Sequence, residues 1–224
     1  MSTTIPIEMI KESKHILIKS DEAHFPQASV LYSYLLTQHK KVSLYMEKRE
    51  YMFAFLPWYD KVRVTEASSA ELTIDVSMEI MDLYDFLKSN GVTINKKMAT
   101  ALYAGFLKRY NNFLAKECDG TVFAVLSELI EYKAQYQMCL QEMIYSKPLS
   151  LFRLKALAYK KLLLVKNARV AKVVLCDEDF ESCGAQWSDV KEVANEILKL
   201  AHVEEVHIIK SDEKDKILKI VKDI

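Results

Sequence analysis

The chain has 224 residues, 50% of them hydrophobic and 28% charged, a profile that fits a globular protein of one or two domains. Its 31 basic and 31 acidic side chains cancel, so no whole-chain charge points to nucleic acid. Only four glycines occur (Gly91, Gly105, Gly120 and Gly184), too widely spaced for a phosphate-cradling loop, a dinucleotide fingerprint or a kinase-type loop.

In chain order, the apolar run His15–Lys19 predicts a strand, followed by a polar turn from Ser20 to Gln27. A helical pattern continues to about Gln38, with Val30, Leu31, Tyr34 and Leu35 on one stripe. Short strands are expected at 42–46, 62–65 and 72–76, and the order strand, helix, strand implies a parallel sheet. From Met78 the pattern turns helical. Residues 79–89 form one helix, stopped at Asn90-Gly91, and a longer one, N-capped by Asn95, runs through Ala115. Helices over 121–132 and 136–145 follow, and Pro148 breaks the run. Beyond it come a basic helix over 149–162 and a hairpin of 162–165 with 170–175, turning at Lys166-Asn167. An amphipathic helix over 188–200 and a strand over 203–209 complete this block, while 214–224 fits either state. The expected fold class is α/β: a parallel-sheet domain with a helical second half over 1–147, and a smaller α+β domain over 148–224.

Cys118, Cys139, Cys176 and Cys183 show no paired spacing and read as reduced thiols, which predicts a cytoplasmic protein. Neither a secretory signal nor a stretch of the ~20 apolar residues that span a bilayer is apparent. No metalloprotease, nucleophile-elbow or calcium-loop motif occurs, and the five histidines are scattered. The most polar turn, Ser20-Asp21-Glu22-Ala23-His24, follows the first strand directly. In parallel sheets ligands bind beyond the carboxyl ends of the strands, so Asp21, Glu22, His24 and the strand-end Asp75 are the candidate ligands for one divalent cation. The plainer reading is a solvated loop whose Asp or Ser caps the next helix. Tyr132, Tyr136, Tyr145, Met138 and Met143 form helical stripes suited to a core or to a homo-oligomer surface.

The segment Ala101-Leu102-Tyr103-Ala104-Gly105-Phe106-Leu107, followed by Asn111-Asn112-Phe113, resembles the A-x-L-x-x-G-I-x-x-D-T-x-x-F helix of the DHH phosphoesterase family, which includes nano-RNase and pAp-phosphatase enzymes. Glu128-Leu129-Ile130, Lys147-Pro148-Leu149-Ser150 leading into Arg153-Leu154-Lys155, and Val173-Val174-Leu175 with Asp177 to Phe180 and Gly184-Ala185 are similar to the same family. The last of these looks like the opening of its DHH-associated substrate domain. The Ile16-Leu17-Ile18 strand and Ser20 turn look like its first motif. The resemblance implies two Mn²⁺ or Mg²⁺ ions held by aspartates and histidines, activating a water against a phosphate ester.

Carried over position by position, that site is depleted. The first motif, H-x-N-P-D-x-D-A, falls on Asp21 to Ala28, with Phe25 and Gln27 where the two aspartates belong and Asp21 in place of the histidine. The helix aspartate becomes Arg109, the DHH tripeptide is absent, only Asp75 matches a motif aspartate, and no G-G-G-H motif occurs before Ile224. One carboxylate cannot hold a pair of dications. The sequence therefore reads as a DHH-like scaffold without metal or catalytic residues, acting as a binding or regulatory protein. The alternative is a metal-dependent phosphoesterase with a remodelled site, acting on nucleotides or short oligonucleotides with Mn²⁺ or Mg²⁺ at Asp21, Glu22, His24 and Asp75. A third reading is a nucleotide sensor in the cleft between lobes, where Lys108 and Arg109 replace the metals' charge.

Overall fold

Four short apolar runs lie side by side as a parallel sheet near the start of the chain. The structure, a computed structural model, describes residues 5–48, 52–67, 69–213 and 216–222. The strands are β1 (His15–Lys19), β2 (Lys41–Tyr45), β3 (Val62–Arg63) and β4 (Leu72–Asp75), in the order β3-β2-β1-β4 with every pairing parallel. In register, Lys19 stands beside Tyr45 on one side and Asp75 on the other, so the three strands end level. Backbone contacts divide the chain into two compact units, Met1–Ser146 and Lys147–Ile224, each with its own apolar core. Among the described residues, no helix is long and apolar enough to cross a membrane.

In the first unit a short helix, α1 (Ile7–Glu12), precedes the sheet; its six residues are too few to show a helical period in the sequence. Helix α2 (Phe25–Thr37) takes in the last three residues of the expected polar turn, with Pro26 in its first turn, where a missing N–H costs nothing. A single buried stripe was expected, but every residue from Phe25 to Leu35 is buried. The segment after β2 encloses the outer face: Phe53 and Tyr59 ring Phe25, at centroid distances of 6.4 and 5.2 Å. The polar members of α2 bond within this enclosure, Ser29 Oγ to the Pro57 carbonyl and Trp58 Nε1 to Ser33 Oγ.

Helix α3 (Ile80–Ser89) ends at Asn90 and the left-handed Gly91, as expected. Asn95 caps α4 (Lys96–Arg109), accepting from the N–H groups of Lys97 and Met98. That helix stops six residues short of Ala115, because Asn111, Asn112 and Phe113 turn left-handed, with φ of 46°, 58° and 65°. Phe113 is thereby placed against Tyr103 and Phe123. Asp119 caps α5 (Gly120–Glu131), and α6 (Tyr136–Leu140) continues as a π-helical turn over Gln141–Tyr145.

In the second unit, α7 (Leu149–Lys160) leads into β5 (Leu163–Val165) and β6 (Val170–Leu175), then β7 (Glu205–Lys210) and β8 (Ile217–Val221), ordered β5-β6-β7-β8. The central pair is parallel and the two outer pairs antiparallel. Residues 217–221 of the ambiguous final segment are strand; 214–215 and 223–224 lie outside the described residues. A helix absent from the sequence reading, α8 (Asp177–Cys183), forms from the acidic run after β6. Its first turn carries Asp177, Glu178 and Asp179, which complement the helix dipole, and Asp179 closes a capping box on Cys176. Helix α9 (Val190–Ile197) buries Val190, Val193, Ala194 and Ile197.

Candidate functional site

The level carboxyl ends of β1, β2 and β4 floor a cavity of about 680 Å³, lined by Lys19, Tyr45 and Asp75, the Ser20–Ala23 turn, and Glu47 and Lys48. This is where a parallel sheet presents unpaired backbone and loops to a ligand. A second cavity of about 190 Å³ shares Ala23 with the first and is lined also by His24, Gln27, Met78, Glu79, Gly105, Lys108 and Arg109.

The second cavity exists because α4 crosses the starts of α2 and α3 at a glycine. A Cβ at Gly105 would lie 2.6 Å from Ile80 Cδ1 and 3.2 Å from Pro26 Cβ, so only glycine allows this approach. Residues three and four positions on share a helix face. The crossing therefore places Lys108 and Arg109 beside the first turns of both helices. Arg109 Nε donates to Glu79 at 2.7 Å, while Lys108 Nζ lies 3.4 Å from the Glu22 carbonyl oxygen and 5.0 Å from the Phe53 ring centroid. Neither α2 nor α3 has a side chain capping its N-terminus. Uncapped first turns carry the positive end of the helix dipole. Gln27 is 7% exposed; its Nε2 donates to the Met78 carbonyl, and its Oε1 accepts no hydrogen bond.

The four candidate metal ligands are divided between these cavities. Asp21, Glu22 and Asp75 line the larger, whereas His24 lines the smaller. Asp21 is already engaged: its Oδ1 accepts from the His24 backbone N–H and from His24 Nδ1, both at 2.8 Å. Burial acts to raise the Asp21 carboxyl, but those bonds and the Lys108 charge outweigh it and hold the group below its ordinary value. Asp21 thus ties the turn that launches α2 through His24 without capping the helix, unlike the plainer sequence reading. Asp75 pairs in register with Lys19, whose ammonium binds Glu66 at 2.8 Å. Among the described residues, no group of three His, Cys, Asp or Glu side chains is placed to hold a metal ion. The donor set therefore does not fit the paired dications that the family resemblance implies.

No family model and no curated protein matches the chain. Among solved structures it is similar to an exopolyphosphatase-related protein from Bacteroides fragilis, with a TM-score of 0.75 and 13% identity, over 94% of this chain and 79% of that one. The chain therefore shares the fold of that protein. Two features of the cavities lay outside the sequence reading. Gln27 had appeared only as a missing aspartate, and Glu79 only as the start of a helix. No local pattern marks either residue; the spacing Gly105-x-x-Lys108-Arg109 marks only the two cations that share their cavity. Gln27 and Arg109, which stand at two of the family's ligand positions by resemblance, line one cavity.

Proposed function

We propose that this protein binds a phosphate-bearing ligand, a nucleotide or the end of a short oligonucleotide, without hydrolysing it, and acts as a binding or regulatory protein of phosphoesterase-like fold. The observation that carries this reading is Arg109 with Lys108 at the joint N-termini of α2 and α3. Cations and open helix starts favour an anion and oppose a bound dication. The residues act by charge and hydrogen bonding alone: Lys108 and Arg109 meet the oxyanion, and the larger cavity, with Lys19, Lys48 and Tyr45, has room for the body of the ligand.

The competing reading, a Mn²⁺- or Mg²⁺-dependent phosphoesterase, draws on Asp21, Glu22 and Asp75 lining one cavity. Incubation with Mn²⁺ and, in turn, pAp, a short oligoribonucleotide and inorganic polyphosphate separates the two. The expected result is no turnover, together with saturable nucleotide binding that survives EDTA. Turnover abolished by Asp75→Ala and by Asp21→Ala would establish the enzyme instead.

A further inference from the structure

The smaller cavity has a feature that simple charge attraction leaves unused. Its wall combines cationic donors with a neutral acceptor that nothing satisfies. Lys108, Arg109, the Gln27 N–H in the first turn of α2 (13 residues) and the first-turn N–H groups of α3 (10 residues) can only donate toward a ligand. Gln27 Oε1 can only accept, and its orientation is fixed because its amide nitrogen is spent on the Met78 carbonyl at 3.1 Å. A buried acceptor without a donor costs free energy until a ligand supplies one.

A single occupant that answers both the cationic donors and this acceptor is an anion that also carries a proton. At about 190 Å³ the cavity has room for roughly six waters, enough for a tetrahedral oxyanion and below the ~300 Å³ of ordinary small-molecule pockets. Inorganic phosphate keeps a hydroxyl at neutral pH, whereas sulfate keeps none. We infer that the cavity is a phosphate-selective site, in which Lys108, Arg109 and two helix N-termini bind the oxygens and the phosphate hydroxyl donates to Gln27. This rests on the reading of the protein as a phosphate binder and specifies how it would discriminate. The Glu79 carboxylate is the opposing group in the wall: it occupies Arg109 and repels the anion, so it sets affinity by competition.

Calorimetric titration of the full-length chain in EDTA, with inorganic phosphate and then sulfate, tests this directly. Phosphate should bind about tenfold more tightly than sulfate, the worth of one satisfied buried hydrogen bond. Gln27→Leu should abolish the preference while leaving sulfate binding in place. Arg109→Ala should weaken both anions, and Glu79→Gln, a change at a 62% exposed side chain, should tighten both. Adenosine monophosphate, run beside inorganic phosphate, separates an ester end-group from free phosphate as the source. Equal affinity for phosphate and sulfate in the unaltered chain, or no gain from Glu79→Gln, overturns the inference. If nucleotides still bind without turnover in that case, the proposed function stands; Mn²⁺-dependent turnover would remove the proposed function itself.

Discussion

Glu128 should be a pH-dependent fastener between α3 and α5, and its neutralisation should cost stability only where the carboxylate is charged. Tyr84 and Lys88, one turn apart on α3, both donate to it, and Tyr132, one turn along α5, donates at 2.5 Å. The Lys88 hydrogen bond is the largest influence, followed by the two tyrosine hydroxyls, and together they pull the carboxyl from 4.5 down to about 2. Taken whole, that displacement is worth about 3 kcal/mol. With 30% of the side chain in solvent, screening reduces it to about 1–2 kcal/mol. A depressed carboxylate stabilises the fold above its unfolded value, and the contribution fades as pH falls from about 4.5 toward 2. Glu128→Gln should therefore lose about 1–2 kcal/mol at pH 7, with the gap to the parent closing below pH 4. Urea denaturation followed by Trp58 fluorescence, in a Trp187→Phe background, reports on this unit alone. A gap that stays constant across that pH range, or no gap at pH 7, would refute the assignment.

Other consequences follow from packing. Gly105→Ala should destabilise the first unit by about 1–3 kcal/mol despite alanine's better helix propensity, because buried Ile80 and rigid Pro26 cannot both retreat; Ile80→Val should recover part of the loss in the same melt. Asn95→Ala should remove about 1 kcal/mol through the lost cap on α4, measured by denaturation. Asp179→Ala should cost about 1–3 kcal/mol in the second unit, since it breaks both the cap on the Cys176 N–H and the Lys161 ion pair; burial acts to raise the Asp179 carboxyl, but these partners hold it low. Burial pushes the Cys139 thiol up to about 12, so Ellman's reagent at pH 8 should leave it unmodified until urea opens the fold, while labelling of the folded chain at Cys139 would contradict its packing.

Where local chemistry decided an element, the sequence was legible. His15–Lys19 reads as strand and is strand; Asn95 caps and Gly91 ends helices as their side-chain chemistry requires; and the Lys166-Asn167 turn joins an antiparallel pair. Misreadings arose where distant residues decide. The outer face of α2 is covered by Phe53 and Tyr59, some 28 and 34 positions after Phe25, so no local period shows its burial. The early stop of α4 depends on Phe113 finding Tyr103 and Phe123 after a left-handed turn. Three of the four candidate metal ligands, Asp21, Glu22 and His24, are near neighbours in sequence, yet a turn can point adjacent side chains in different directions. Asp21 and Glu22 line one cavity while His24, tied back to Asp21, lines the other.

The crossing at Gly105 also separates the contact that brings α4 close from the side chains that line the cavity. The position of α4 is set by backbone proximity to Ile80 and Pro26, which requires a missing side chain and nothing further along the helix. The residues one turn later, Lys108 and Arg109, line the cavity and are held from outside the crossing, Lys108 at the Glu22 carbonyl and the Phe53 ring and Arg109 at Glu79, so reversing either charge would break those contacts. At the start of α2, Gln27 is positioned by donating its Nε2 to the Met78 carbonyl, a bond that an ionised carboxylate could not make. On the reading proposed above, Gln27 and Arg109 suit the cavity to an anion carrying a proton, where carboxylates at positions 27 and 109 would suit it to cations. Positions 27 and 109 would thus decide which sign of charge this cavity collects, while Gly105 serves the packing that forms it.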